Sequence, residues 1–457
     1  PGPFPGRVGL TAEGRWAAFY KSNLAAGADE FWTLDLQSGQ RKLISSFKYP
    51  ERFAWTARPA WSPDGKRIAY AAEQRDKDGF LVRLYVVDAA TGERRAVSSP
   101  RWQWVQSLAW TGDHSALATV GQESESSFQQ VWYLPLSGNS AARRISNDLD
   151  SYIGVSLTAL SSELVSVQAQ TLSNIFVLRP GNLSHPVQIT PGNGRYFDLS
   201  WMADGRILYA SDATGSADLW MMRADGSDER PVISGAGRNY APISTPDAKS
   251  IAFHSNRSGN WQIWRADVDG THQRQLSTGA RDGNWPQFTA DGQFVLFHQS
   301  GPDGVFHLWR VPASGGAAVK ITRSLTMHPA VSRTDGRIAA WYSETTDNPQ
   351  WKLAIFAPEG GEPLRTYNPP GDTRPDTLLR WTPKGDAISF LNYAEGHSNI
   401  WLQPVDGSPA RSLTSFTAED IYSFDWSRDG ALVYSRGLTT QDVVLIRDLN
   451  ALGKAPE

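Results

Sequence analysis

The sequence predicts an all-β chain folded as a β-propeller of about ten four-stranded antiparallel blades, two smaller propellers in tandem being the alternative. Three observations lead there. One short segment recurs along the whole chain. Each copy holds a tight turn between two short apolar runs. Signals for helices are almost absent, with no long apolar pattern of period 3.6 and no capped helical run. A fixed period of this kind redefines how length is read: 457 residues are about ten copies of one unit rather than three ordinary domains.

The clearest copies are WSPDGKRIAY from Trp61, WMADGRILYA from Trp201, STPDAKSIAF from Ser244, FTADGQFVLF from Phe288, WTPKGDAISF from Trp381 and WSRDGALVYS from Trp426. Weaker copies start at Leu10, Trp110, Leu157 and Val331, so that ten units follow one another at roughly 43 to 51 residues, the period of propeller blades. A first strand ends at the Trp or its substitute. The Pro-Asp-Gly turn follows, because Pro presets φ and Gly accepts a positive φ. An alternating second strand such as Arg67-Ile68-Ala69-Tyr70 comes next. A variable polar loop, Ser255 to Trp261 for example, leads to a third strand with its own Trp: Trp32, Trp132, Trp220, Trp264, Trp309 or Trp401. A second turn, such as Val268-Asp269-Gly270, and a short fourth strand close the unit. Of the 19 Trp, the eleven at these two positions are expected to fill the wedge between blades. Trp102, Trp104 and Trp285 fall outside them.

Composition removes several function classes. With no Cys there is no disulfide framework, thiolate metal site or Cys nucleophile. A net charge of −3 gives no general attraction to nucleic acid. No run of ~18 apolar residues marks a membrane span. The start at Pro1, without Met, reads as a segment of a larger protein or a mature product. There is no Gly-x-Ser-x-Gly elbow. The Asp-rich turns Asp225-Gly226 and Asp267-Val268-Asp269-Gly270 lack the further ligands and terminal Glu of a calcium loop, and read as hairpin turns.

The runs VWYLPLSG from Val131, SNIFVL from Ser173, SNRSGNWQIWRADVDG from Ser255, SNIWLQPVDG from Ser398 and YSFDWSRDG from Tyr422 carry a resemblance. The chain resembles, over about residues 8 to 450, the TolB-type propeller repeats that follow the kinase domain of bacterial eukaryote-like serine/threonine protein kinases and the winged-helix domain of some membrane-bound regulators. The resemblance implies a sensory or interaction region across a membrane from its effector, hence an extracytoplasmic (periplasmic or cell-surface) location. It implies no kinase activity, since the glycine-rich loop, His-Arg-Asp and Asp-Phe-Gly are missing.

Residues 1–450 are expected to form the propeller and 451–457 a tail. Unit ten lacks an evident fourth strand, and Phe4 and Val8 could donate it. That single closure favours one ring, while the degenerate stretch from Tyr152 to about Phe197 is where a second closure could hide. Near the entry to the innermost strands recur Trp102, Trp104, Tyr152, Tyr196, Arg238, Asn239, Tyr240, Arg281, Asn284, Trp285, His328 and Tyr422. Aromatics with Arg suit protein, peptide or saccharide contacts, so these residues are the expected channel rim, inter-blade packing being the competing role. His254 and His298 occupy matching positions and are weak candidates for a metal, as in propeller lyases with related repeats; satisfied histidines at strand ends are the plainer expectation. No cofactor and no catalytic residue is expected. The resulting reading is a non-catalytic sensor or scaffold propeller of a membrane-anchored signalling protein that binds a protein, small molecule or saccharide. A saccharide- or peptide-acting enzyme, metal-assisted or not, and a structural subunit of an extracellular assembly are the alternatives.

Overall fold

The computed structural model describes residues 8–447 apart from 24–25, 49–50, 55, 77–78, 124–127, 137–140, 159–162, 181, 193, 280, 302–303 and 347–348. Phe4 and the tail 451–457 therefore lie outside the described residues, whose regular structure is almost wholly antiparallel strand. Nine of the ten expected turns join a first strand to a second, and the turn after Leu157, at 159–162, lies outside the described residues. The chain divides into two compact units, residues 171–438 and the two segments 1–170 and 439–457.

Residues 171–438 form six blades. The first comprises Phe197–Trp201, Arg206–Ser211, Asp218–Arg223 and Arg230–Ile233, paired in that order. The next four begin with the inner strands Asn239–Ser244, Gly283–Phe288, Leu325–Val331 and Arg380–Trp381, each followed by three antiparallel partners. The sixth is composite: Asp420–Trp426, then Leu432–Arg447, then Glu163–Arg179, then Asn182–Gln188. Consecutive inner strands touch, and the last, Asp420–Trp426, touches the first, Phe197–Trp201. The contact is hydrogen-bonded: Leu199 N–H donates to Ser423 Oγ at 2.8 Å and Trp201 N–H to Asp425 Oδ2 at 2.8 Å.

This corrects the expected closure. The strand beside Leu432–Arg447 comes from the middle of the chain, and Gly9–Leu10 pairs only with Trp16–Asn23 among the described residues. Within residues 171–438 the sixth blade meets the first, so these six blades close on themselves. The closing strands came from the degenerate stretch, where repeat matching has little to grip.

The core lies between blades. Apolar clusters join blades one and two (Leu208, Phe253), two and three (Ala252, Phe297), three and four (Leu296, Ala340), four and five (Trp341, Phe390), and five and six (Leu391, Phe424). A sixth, with Tyr209, Ile175 and Val433, joins six back to one. Burying such side chains contributes roughly 1.5–3 kcal/mol each, and only ring closure leaves neither end blade with a wet face.

In residues 1–170 and 439–457 the same hairpins form one four-stranded sheet and one nine-stranded sheet, in which Trp102 pairs with Val82, followed by the hairpin of Ser151–Leu157 and Glu163–Arg179. Their clusters contain Phe31 with Tyr70, Trp102 with Trp132, and Tyr152 with Leu164. The turn Trp works as expected in both units. Trp110 Nε1 donates to Ala60 O at 2.9 Å, and Trp381 Nε1 to Ala330 O at 3.0 Å, each reaching the preceding blade.

Candidate functional site

The site is built on the inner strands of residues 171–438. Register shifts mark bulges between Phe197 and Ser200, Tyr240 and Ile243, Asn284 and Gln287, Met327 and Ala330, and Ile421 and Ser423. At four of them a residue other than Gly takes a left-handed backbone: Asp198, Ala241, Trp285 and His328, with φ of 54°, 49°, 58° and 53°. Such backbone costs about 1–2 kcal/mol and needs support.

Support comes from the preceding blade. The amide of Ala241 donates to Asp198 Oδ2 at 2.9 Å, that of Trp285 to His254 Nδ1 at 3.2 Å, and that of His328 to His298 Nδ1 at 3.1 Å. Because Nδ1 accepts, the proton of His254 and His298 belongs on Nε2 and both rings are neutral. Burial, with nearby His328 and Arg238, pulls His254 down to about 3. Burial and the neighbouring imidazoles hold His298 well below the usual range. Burial and Arg380 bring His328 to about 3. Burial raises Asp198 to about 6, against the lowering pull of the Ala241 amide and Arg380. His298 and His328 do approach, with ring centroids 4.9 Å apart. Yet the Nδ1 atoms of His254 and His298 are used on backbone amides, which argues against the metal expectation. Among the described residues no group of three or more His, Asp or Glu is arranged to hold a metal ion.

Outside these imidazoles runs an aromatic belt. Arg238 Nη2 donates to Tyr240 Oη at 2.6 Å, and its guanidinium lies 5.3 Å from the Tyr240 ring and 5.8 Å from the Trp261 ring. Trp261 meets His254 at 5.1 Å, His254 meets Trp285 at 5.6 Å, and Trp285 meets His328 at 4.9 Å. Arg238, Tyr240, Trp261 and Trp285 remain half-buried. Of the expected rim residues, Arg238, Tyr240, Trp285 and His328 are thus brought together.

The others are elsewhere. Trp102 is fully buried beneath Gly121 and Trp132, in the core of residues 1–170, and is no rim residue. Tyr152 is buried in the same unit and donates to Asp148 Oδ2 at 2.8 Å. Trp104 stands exposed on a strand of that unit. These three lie in the other unit, because the repeat gives a position within a blade and not the unit to which the blade belongs. Asn239 is a loop anchor, buried and donating to the Ala217 and Gly237 carbonyls. The Arg281 carbonyl anchors Gln262 and Gln299. Tyr196 packs 5.5 Å from Tyr209. Asn284 pairs in register with His298, and Tyr422 sits at the bulge of blade six.

At the other end of the inner strands, where the Pro-Asp-Gly turns lie, all six blades line a cavity of about 290 Å³. Its charged residues are Arg333, Arg380, Arg428 and Asp425. Asp425 meets Arg380 at 3.2 Å and Arg333 at 3.6 Å. Sequence reasoning missed these residues and Trp261. A signal was present: Ser427-Arg428-Asp429-Gly430 puts Arg where Ser62-Pro63-Asp64-Gly65 has Pro.

The turn aspartates are satisfied within their own turns. Asp225 accepts from the Ser227 amide at 3.0 Å and Asp269 from the Thr271 amide at 3.0 Å, as expected of hairpins.

Residues 187–367 match the family described as TolB beta propeller domain. The "Uncharacterized protein Atu1656" of Agrobacterium fabrum is 25% identical over 220 residues, 46% of this chain and 68% of that protein. TolB from Acinetobacter baumannii is 13% identical with a TM-score of 0.42, over 86% of this chain and 82% of that one. A puromycin-hydrolyzing peptidase of Mycobacterium tuberculosis is 12% identical with a TM-score of 0.37, over 94% of this chain and 57% of that one. No chemistry follows from structural likeness of this degree. The sequence match and the strand pairing agree on one point: residues 187–367 are TolB-type propeller repeats.

Proposed function

We propose that the chain is a non-catalytic propeller that binds a protein partner at the ring formed by residues 171–438. In this reading it is the sensor or scaffold module of a larger, membrane-anchored bacterial signalling protein, with its propeller outside the cytoplasm. The observation that carries the reading is the belt of Arg238, Tyr240, Trp261 and Trp285. Half-buried aromatic rings stacked with a guanidinium are the side chains that anchor protein interfaces. The imidazoles behind them are buried, and two of them support backbone. With His254 and His328 near 3, they are far from the range in which general acid–base catalysis works at neutral pH. TolB-type repeats support the extracytoplasmic placement, and no helix among the described residues is long and apolar enough to cross a membrane.

The test compares the wild-type chain with a variant carrying Arg238→Ala, Tyr240→Ala and Trp285→Ala, both as bait in extracts of the native host. A protein held by the wild type and lost by the variant, at a similar Tm, is the expected result. Equal recovery by both baits would remove the belt as the binding surface. Loss of folding in the variant would assign these residues to packing instead.

A further inference from the structure

The cavity at the turn end of the same ring differs chemically from the belt. Three guanidiniums face one carboxylate there, so its lining carries an excess of two positive charges. Arg380 is largely buried and committed: Nε meets Asp425 Oδ1 at 3.2 Å, and Nη1 donates to the Leu379 carbonyl at 3.1 Å. Asp425 also receives the Trp201 amide at 2.8 Å. Arg333 reaches it only at 3.6 Å, and holds the Trp426 carbonyl through Nη1 at 2.8 Å; its side chain keeps 40% exposure. Arg428 is exposed and donates Nη2 to the Pro246 carbonyl at 2.8 Å, without a carboxylate partner among the described residues. Each guanidinium has five N–H groups, so both retain donors for a further acceptor.

Neighbouring turn carboxylates keep their charge but stand outside the cavity lining. Asp204 is paired with Arg206 at 2.5 Å, and Asp335 with Arg337 at 2.6 Å. Asp247 and Asp291 are bound to the hydroxyls of Thr245 and Thr289. None of these four carboxylates lines the cavity. The rest of the wall includes Trp201, Phe288 and Trp381. A small cavity with apolar walls and a few convergent polar groups is the usual form of a ligand site. Paired guanidinium donors suit the planar carboxylate.

We infer that this cavity binds an acidic peptide segment, a carboxylate lying between Arg333 and Arg428 and an adjacent apolar side chain lying against the aromatic wall. The inference deepens the binding reading above and rests on it, while using a different set of residues.

The experiment titrates the full chain with a fluorescein-labelled, C-terminally amidated octapeptide of alternating Glu and Leu. Binding should weaken with added salt. It should weaken about 10-fold or more when Gln replaces Glu in the peptide, as expected for losing a charge-assisted contact. Arg428→Gln should have a similar effect at unchanged Tm, since Arg428 is exposed; Arg333→Gln should follow it. Arg428→Glu should turn the preference toward a Lys–Leu peptide. Equal binding of the Gln peptide, indifference to both Arg→Gln variants, absence of binding, or displacement by inorganic phosphate at equal concentration would each overturn the inference. The belt variant separates the two readings. If it loses the host partner but keeps this peptide, the belt holds the partner and the cavity stands as a separate subsite. If it keeps the host partner while the Arg variants lose the peptide, the belt reading alone fails.

Discussion

The Nδ1 atom of His298 accepts the backbone N–H of His328 at 3.1 Å, and one blade earlier His254 does the same for Trp285 at 3.2 Å. In both cases the captured amide belongs to a left-handed residue at a bulge of the next inner strand. A side chain of one blade thereby holds the strained backbone of the next. Leaving such a buried donor unpaired costs about 1–3 kcal/mol. His298→Ala should therefore lower unfolding stability by ~3 kcal/mol, cavity included, and His298→Gln, which keeps an acceptor, by less. Urea denaturation measures both.

The same histidine gives a pH signature. Its folded-state pKa lies well below the ordinary value of 6.5. As pH falls through that value, the unfolded chain takes up a proton that the folded ring refuses, so stability decreases on acidification. His254 and His328, near 3, act in the same direction, while Asp198, raised to about 6, opposes them by binding its proton first in the folded state. Comparison with His298→Gln isolates one group. The stability advantage of wild type over that variant should shrink between pH 7 and pH 5. An unchanged or growing advantage would contradict the neutral, buried imidazole.

Two glycines with similar φ should respond differently to Ala. Gly205 has φ +85° with open space around it, so Gly205→Ala meets only backbone strain, about 1–2 kcal/mol. Gly270 has φ +86°, and an added Cβ would collide with the Val232 carbonyl of the preceding blade. Gly226 and Gly360 stand in the same relation to the Ile189 and Ile321 carbonyls. Gly270→Ala should lose about 3 kcal/mol or more, since strain and overpacking add. Equal losses at the two positions would remove the turn-on-blade contact as a source of stability.

Trp381 tests the wedge role of the turn tryptophans. Its indole N–H reaches the Ala330 carbonyl at 3.0 Å, with Arg337 5.0 Å from the ring. Trp381→Phe should cost about 1–3 kcal/mol from the unpaired carbonyl and the lost ring. Trp381→Ala should cost about 3–5 kcal/mol. Guanidinium unfolding followed by circular dichroism separates the two.

Residues 171–438 should fold alone. They contain all six inter-blade clusters and both hydrogen bonds that join Leu199 and Trp201 to blade six. The excised segment should unfold in one cooperative transition by calorimetry and urea. A fragment ending at Ser427, which lacks the Leu432–Arg447 strand, should expose the apolar faces of blades one and six and bind a hydrophobic dye.

The sequence by itself determined the blade. Turn residues, alternating strands and the two Trp positions are local, and their chemistry is complete within about 45 residues, so every first hairpin from Leu10 to Trp426 was legible. The role of the turn Trp was legible for the same reason, since only its place in the repeat matters. Ring closure was not legible. It depends on Glu163–Arg179 and Leu432–Arg447 finding each other across more than 250 residues, in the stretch where the repeat is weakest. The site was legible only in part. Arg238, Tyr240 and Trp285 stand out as Arg and aromatics at strand entries, whereas Trp102 and Tyr152 share that pattern and are buried in the other unit. Only the tertiary structure decided that His254 and His298 support backbone, because the amides they hold lie one blade away. It also decided that Arg333 and Arg380 meet at Asp425, with Arg428 lining the same cavity. Such convergence arises when the ring closes, and no local pattern encodes it.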